Sequence, residues 1–411
     1  MRFLLFITCI IIFACKEKDR CQVQTGINPV MLGIDNLISG NLESLSGKRA
    51  GLLTNPSGVN RSLQSTLDIL SVEKNVNLTV LFAAEHGIRG EMYAGEKIKN
   101  RKDVRCNLPV YTIYVINQQV LHEIMNTIDI IIIDIQDTGI RSYTYIYSMA
   151  TLMKLSAKHN KKIIVLDRPN PINGTQVEGN IIKDGFFSSV GLYPIPYRHG
   201  MTIAELALLF NNEFGIGCDL TVVPLSGWER KMFWSETGLQ WIPPSPHVPD
   251  WETILYMCAT GIIGELKTIS NGVGYTTPFK LIGAPWINGQ LLSNQLNNLQ
   301  LKGITFRPVY YKPFYALYTG KLCQGVRLFI TDKIKFKPFN CSLHILKSLV
   351  TAYPDCGILN KSGGVTMFNK VIGTDEILNR LKNNTDIDSL EKNWQKELSA
   401  FFTVREKYLL Y

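Results

Sequence analysis

An open α/β sheet of parallel strands followed by a smaller α+β domain is the fold class this chain predicts, and three observations carry it. Runs 49–54, 78–84, 130–135 and 163–166 are of strand length and apolar nearly throughout, the pattern of strands covered on both faces. Between them lie stretches with apolar residues at helical spacing, as in Val120, Leu121, Ile124, Met125 and Ile128, and this alternation is the signature of a parallel sheet. At 411 residues the chain is also too long for one ordinary core, so two domains are expected, 31–235 and 236–411.

Residues 1–15 read as a targeting segment. Met1 and Arg2 give a short positive start, 3–14 an apolar stretch too short for a permanent span, and Cys15 follows Ala14. This resembles a bacterial lipoprotein signal, with Ile12-Phe13-Ala14-Cys15 as a loose lipobox, Cys15 as the lipidated first residue and 16–30 as a tether. A plain secretory signal is the alternative. The lipoprotein reading predicts an exported protein held at the cell envelope by acyl chains, each contributing ~0.8 kcal/mol per buried CH₂. Without Cys9 and Cys15, seven of the nine cysteines remain. An odd number cannot all pair internally, and no CxxC or histidine spacing suits a metal, so neither a disulfide framework nor a metal is expected. The net charge of +9 is spread along the chain with no nucleic-acid motif, which argues against a nucleic-acid partner.

The first strand, 48–54, closes in Asn55-Pro56-Ser57-Gly58, a βα turn without the glycine spacing of a dinucleotide site. The topology is therefore Rossmann-like, but no NAD or other cofactor is expected. Ser62 is placed to cap a helix burying Leu63, Leu67 and Leu70. The strand 78–84 stops abruptly in Glu85-His86-Gly87, with Arg89, Glu91, Glu96 and Lys97 close behind. Ligands of open α/β sheets bind beyond the carboxyl ends of strands, so Glu85 is the leading candidate for chemistry, with His86, Arg89 and Glu96 around it. A structural ion pair is the bland alternative for any of them.

Strands at 109–115 and 130–135 follow, the latter ending in Asp137 and leading to Arg141, Tyr143 and Tyr145. Asp137 and Arg141 are read as ligand contacts or as partners for each other, and the tyrosines as stacking faces or core. The strand 163–166 ends in a proline-punctuated turn in which Asn170 is a candidate contact. Thr202 to Glu205 form a capping box whose helix buries Ile203, Leu206 and Phe210. Arg198 and His199 precede that positive helix end, where an anion or a sugar hydroxyl can dock, unless the loop only aims the helix. Residues 220–225 close the sheet. Trp228, Trp234, Trp241 and the prolines of 243–249 mark the junction, as a binding cleft or as a seal. Beyond it, 265–279 is a glycine-broken loop, 304–311 and 325–330 are strands, and 343–352, a segment capped by Thr374 and a final segment from Ile387 to Phe401 are helices. The last seventy residues read as scaffold.

Taken in order, LLTNPSGV (52–59), LFAAEHGIRGEMYAGEK (81–97), DIQDTGIRSYTYI (134–146), LDRPNPING (166–174), IPYRHGMTIAEL (195–206), PPSPHVP (243–249), TTPFKLIGAPW (276–286), LCQGV (322–326) and the closing YLLY resemble the exo-acting β-N-acetylmuramidases of the NamZ type. The resemblance implies a Rossmann-like domain, a smaller α/β domain and a cleft between them. It also implies removal of N-acetylmuramic acid from the non-reducing end of peptidoglycan fragments, so that the partners are peptidoglycan-derived saccharides or muropeptides. Glu85 is then the catalytic carboxylate and proton donor, its pKa raised by burial and by Glu91 or Glu96. Glu265, Asp137 or the substrate's acetamido group is the second group. Arg141, Arg198 or Arg89 is the expected grip on the lactyl carboxylate. The family pattern breaks at Leu266, Lys267, Asn271, Val273 and His247, which leaves a rival reading: a surface lipoprotein that binds muropeptides without cutting them.

Overall fold

The computed structural model describes residues 29–40, 42–90, 92, 101–113, 117–383 and 388–411. Its first sheet has seven strands: β1 (Arg49–Thr54), β2 (Asn77–Ala83), β3 (Arg101–Lys102), β4 (Pro109–Thr112), β5 (Ile130–Asp134), β6 (Lys162–Leu166) and β7 (Asp219–Val223). They lie in the order β3-β4-β2-β1-β5-β6-β7, and every pair is parallel except β3 with β4. Counting the parallel strands alone, the order is that of a Rossmann-like sheet, with chain direction across the sheet reversing between β1 and β5. Ile130 and Ile132 of β5 join one core and Ile131 and Ile133 the other, because successive side chains leave opposite faces and helices cover both.

The helices follow local signals with one shift. Ser65, not Ser62, caps Thr66–Val72 by accepting the Asp68 amide, and Leu63 lies outside the helix, exposed and at φ 65°. A turn closed by the Gln64 amide on Asn60 Oδ1 at 2.8 Å takes up the preceding residues. Thr202 and Glu205 form the expected reciprocal cap of Ile203–Glu213. The helix Tyr145–His159 is not announced in the sequence, since its N-cap residue, Thr144, makes no side-chain cap.

In the second domain β8 (Leu281–Ala284), β9 (Ile304–Tyr311) and β10 (Cys323–Ile330) form an antiparallel sheet in the order β8-β10-β9. Helices Thr253–Gly264, Gly289–Asn298, Pro338–Ala352, Ser362–Ile372 and Glu376–Lys382 share one core with it. Thr253–Gly264 escapes a periodicity reading because it is apolar almost all round and buried. Thr374 does serve the helix after it, accepting the Glu376 amide at 3.2 Å. Ile387 and residues 114–115 fall outside the described residues.

The final helix, Asp388–Arg405, returns the chain to the first domain. Arg405 donates to the carbonyls of Gly174 and Gly200, and the Tyr411 hydroxyl donates to Asp167 at 2.7 Å. Trp228 meets Tyr411 edge-on and Trp234 meets Trp241 edge-on, so these tryptophans seal the joint. No helix among the described residues is long and apolar enough to cross a membrane.

Candidate active site

Three strand ends converge where the sheet reverses: Asn55 after β1, Glu85 after β2 and Asp137 after β5. Glu85 is half-buried. Its Oε2 accepts from the Thr144 hydroxyl at 3.0 Å, which explains why Thr144 does not cap its own helix. The Tyr145 hydroxyl lies 3.0 Å from the Glu85 carbonyl and 2.7 Å from that of Pro244, tying the catalytic candidate to the domain junction. His86 follows at φ 74° and Gly87 at φ 80°, a backbone turn that a non-glycine residue adopts at a cost in strain. His86 Nδ1 lies 3.0 Å from the Met92 carbonyl, and since a carbonyl only accepts, Nδ1 carries the proton of this bond. Glu91, Glu96 and Lys97 fall outside the described residues.

Between the domains opens a cavity of about 540 Å³, lined from the first by Ser142, Tyr143 and Tyr197 and from the second by Glu265, Lys267, Asn271 and Phe279. Tyr143 forms part of the wall and meets Tyr145 edge-on at 4.6 Å; burial raises its phenol well above the usual range. The Glu265 carboxyl is raised too, by burial, with Lys267 opposing. A carboxyl raised in the folded state stabilises the fold below its unfolded pKa, and that contribution is lost as pH rises through the folded value. Glu265→Gln is therefore expected to raise Tm at pH 7, with a gain that shrinks as pH falls through the carboxylate range. A variant less stable than wild type at pH 7 would contradict this.

The segment read from sequence as a break in the resemblance forms a wall of this cavity. Leu266 is fully buried in the second core, the Asn271 carbonyl accepts the Phe279 amide at 2.7 Å, and Gly274 receives the Phe314 amide at 2.7 Å. His247, half-buried, meets the Tyr315 hydroxyl at 2.8 Å; burial lowers its pKa, and His86 adds to that.

Several expected ligand contacts are committed elsewhere. Arg141 is wholly buried, and its terminal nitrogens donate to the carbonyls of Asn180, Ile195, Val371 and Ile372 rather than to Asp137. Arg198, equally buried, pairs with Glu178 at 2.8 Å and bonds Gln176 and Ile172. Arg89 forks onto Asp103 at 2.8 and 2.9 Å, which holds that carboxyl well below its usual range. His199 is buried: its Nδ1 accepts the Met201 amide and its Nε2 donates to Asp137 at 3.1 Å, as a neutral ring does. Asn170 bonds Met201 and Ile172 and packs where Gly139, at φ 82°, leaves no room for a Cβ. The positive end of Ile203–Glu213 is filled from within, Asp167 accepting the Ala204 amide at 3.0 Å. Asp137 is 5% exposed and accepts from Gly139, while its Oδ1 has no hydrogen-bond partner among the described residues. Thr144 and Lys361, a further residue of the cavity wall, were not singled out by sequence, the latter because it lies in a stretch read as scaffold.

Residues 50–252 match the family model described as exo-β-N-acetylmuramidase NamZ, N-terminal, and residues 254–411 match its C-terminal counterpart, a division just past the prolines of 243–249. The peptidoglycan β-N-acetylmuramidase NamZ of Bacillus subtilis (strain 168) is 41% identical over 401 residues, 97% of this chain and 96% of that protein. Among solved structures, one DUF1343 family protein from Bacteroides fragilis NCTC 9343 has a TM-score of 0.88 at 40% identity, and another from the same organism 0.75 at 29%. Each comparison covers 93% of this chain and 99% of the other.

Proposed function

We propose, from the premise that this chain belongs to the exo-β-N-acetylmuramidase NamZ family, that it is a glycoside hydrolase releasing N-acetylmuramic acid from the non-reducing end of peptidoglycan fragments. The observation that carries the site assignment is the placement of Glu85. It stands at a strand's carboxyl end beside the reversal of the sheet, with Thr144 fixing one carboxylate oxygen and Tyr145 linking its backbone to Pro244 at the domain junction. In this reading the terminal sugar enters between the domains and Glu85 protonates the glycosidic oxygen. Glu265 faces the sugar from the other domain as the second carboxylate while an oxocarbenium-like state forms and water completes the cleavage. Incubating the protein with a β-aryl N-acetylmuramide and with a muramyl-terminated disaccharide tests it. Free N-acetylmuramic acid is the expected product, and no release from either substrate would overturn the reading.

The chain is further proposed to be exported and anchored through a lipid on Cys15. The apolar start, Ala14-Cys15 and the charged residues after it support this. Cys15→Ser is expected to shift the expressed protein from the membrane fraction to the soluble one. A wild-type protein already soluble after export would instead favour the plain secretory signal.

A further inference from the structure

Each of the three arginines expected to grip the ligand's carboxylate is engaged within the protein, two of them wholly buried. The cavity offers a different cationic feature. Lys267 and Lys361 both line it, and both are exposed. The Lys361 ammonium lies 3.4 Å from the Lys267 carbonyl, which holds the two residues together at the wall. Neither lysine has a carboxylate within ion-pair distance among the described residues, whereas Lys280, Lys333 and Lys407 are each paired. Lys267 acts electrostatically on Glu265, so its charge is felt inside the cavity.

A second, independent source of positive potential sits at the same place. Lys361 is the N-cap residue of Ser362–Ile372, an eleven-residue helix whose start has no side-chain cap. Its leading amides therefore lack the partner that Ser65 or Thr202 supplies elsewhere in the chain. The first turn is pressed onto the segment carrying Lys267, since a Cβ on Gly364 would lie 2.1 Å from the Leu266 carbonyl oxygen. A Cβ on Gly363 would meet nothing, so that side of the turn is open to an approaching group. Two ammoniums at the cavity wall, with an uncapped helix start and an open glycine directly following one of them, form a receptor for an anionic group.

We propose that Lys267 and Lys361, with the start of Ser362–Ile372, hold the lactyl carboxylate that distinguishes N-acetylmuramic acid from N-acetylglucosamine. The proposal rests on reading the cleft as the sugar site, and it moves the acid-recognising function from the first domain's arginines to the second domain. Lys267 stands next but one to Glu265, so the group that recognises the acidic sugar and the second carboxylate are set by the same short segment.

The test is a cycle of two proteins and two substrates. A β-aryl N-acetylmuramide is compared with its lactyl amide, of nearly the same shape but without the charge. Wild type is expected to show a KM about tenfold or more lower for the acid, the usual scale of a charge-assisted contact. In Lys267→Gln/Lys361→Gln the two KM values should converge, and in Lys267→Arg/Lys361→Arg the preference should persist. Both lysines are exposed, so the substitutions are not expected to unfold the protein. A preference that survives in the Gln double variant, or one absent from wild type, overturns the proposal. If wild type cleaves neither substrate, the hydrolase reading fails by itself. Calorimetric titration with free N-acetylmuramic acid and N-acetylglucosamine then decides: tighter binding of the acid that vanishes in the Gln variant supports the grip, and equal binding removes it.

Discussion

Glu85→Gln is expected to lower release of N-acetylmuramic acid from a disaccharide by about 10²–10⁴-fold, the usual contribution of a positioned proton donor, while binding of the sugar is kept. The substitution is nearly isosteric, and the amide oxygen still accepts the Thr144 hydroxyl that fixes Oε2 in wild type at 3.0 Å. Tyr145 reaches the backbone carbonyl of residue 85, which the substitution does not alter. Stability should therefore change by no more than ~0.5 kcal/mol, and the loss will be chemical rather than structural. The role of Glu85 is read from the leaving group. An aryl glycoside whose phenol departs without protonation should recover much of the lost rate if Glu85 is the acid. An equal loss on both substrates would instead give Glu85 the other carboxylate's role and make Glu265, whose burial favours its protonated form, the donor.

The parts that sequence made legible share a physical cause: their determinants are local. A five-residue run such as β5 is buried on both faces, so its composition alone declares a covered strand. Glu85 stood out because an apolar run stops and a charged residue follows, a pattern complete within nine residues of sequence. The arginines were misleading for the opposite reason. A guanidinium has reach and many donors, and its partners are chosen by the fold: the Arg141 contacts with Val371 and Ile372 span 230 and 231 residues. Nothing near Arg141 in sequence distinguishes a ligand-binding arginine from one that caps a distant helix. Lys361 was illegible in the same way, since it is brought to the cavity by packing against the Leu266–Lys267 segment, 94 residues away at Lys267. Thr144 was passed over for a related reason, since its hydroxyl meets Glu85, 59 residues away, instead of a neighbouring amide.

Arg141→Met is expected to cost about 3–5 kcal/mol of stability, because it removes the donor from a set of buried acceptors and leaves them unmatched. The side chain is wholly buried, and burial pushes its pKa down only to about 10, so it is a cation at neutral pH. Its terminal nitrogens lie 2.6 Å from the Asn180 carbonyl, 2.7 Å from that of Ile195 and 3.2 Å from that of Val371, with Ile372 also bonded. Val371 and Ile372 are the last residues of Ser362–Ile372, where the helix dipole places negative charge, so a first-domain cation closes the far end of the helix that begins at the cavity. Methionine can fill much of the volume but donates nothing, and the carbonyls cannot reach water. Chemical denaturation measures the loss, and native-state hydrogen exchange locates it: amides of Ser362–Ile372 should exchange faster, while those of β1, which makes no bond to Arg141, should change only with global stability. A loss under ~1 kcal/mol with no local change in exchange would mean that the arginine does not serve as this tie, and would return it to the ligand role its sequence neighbourhood suggested.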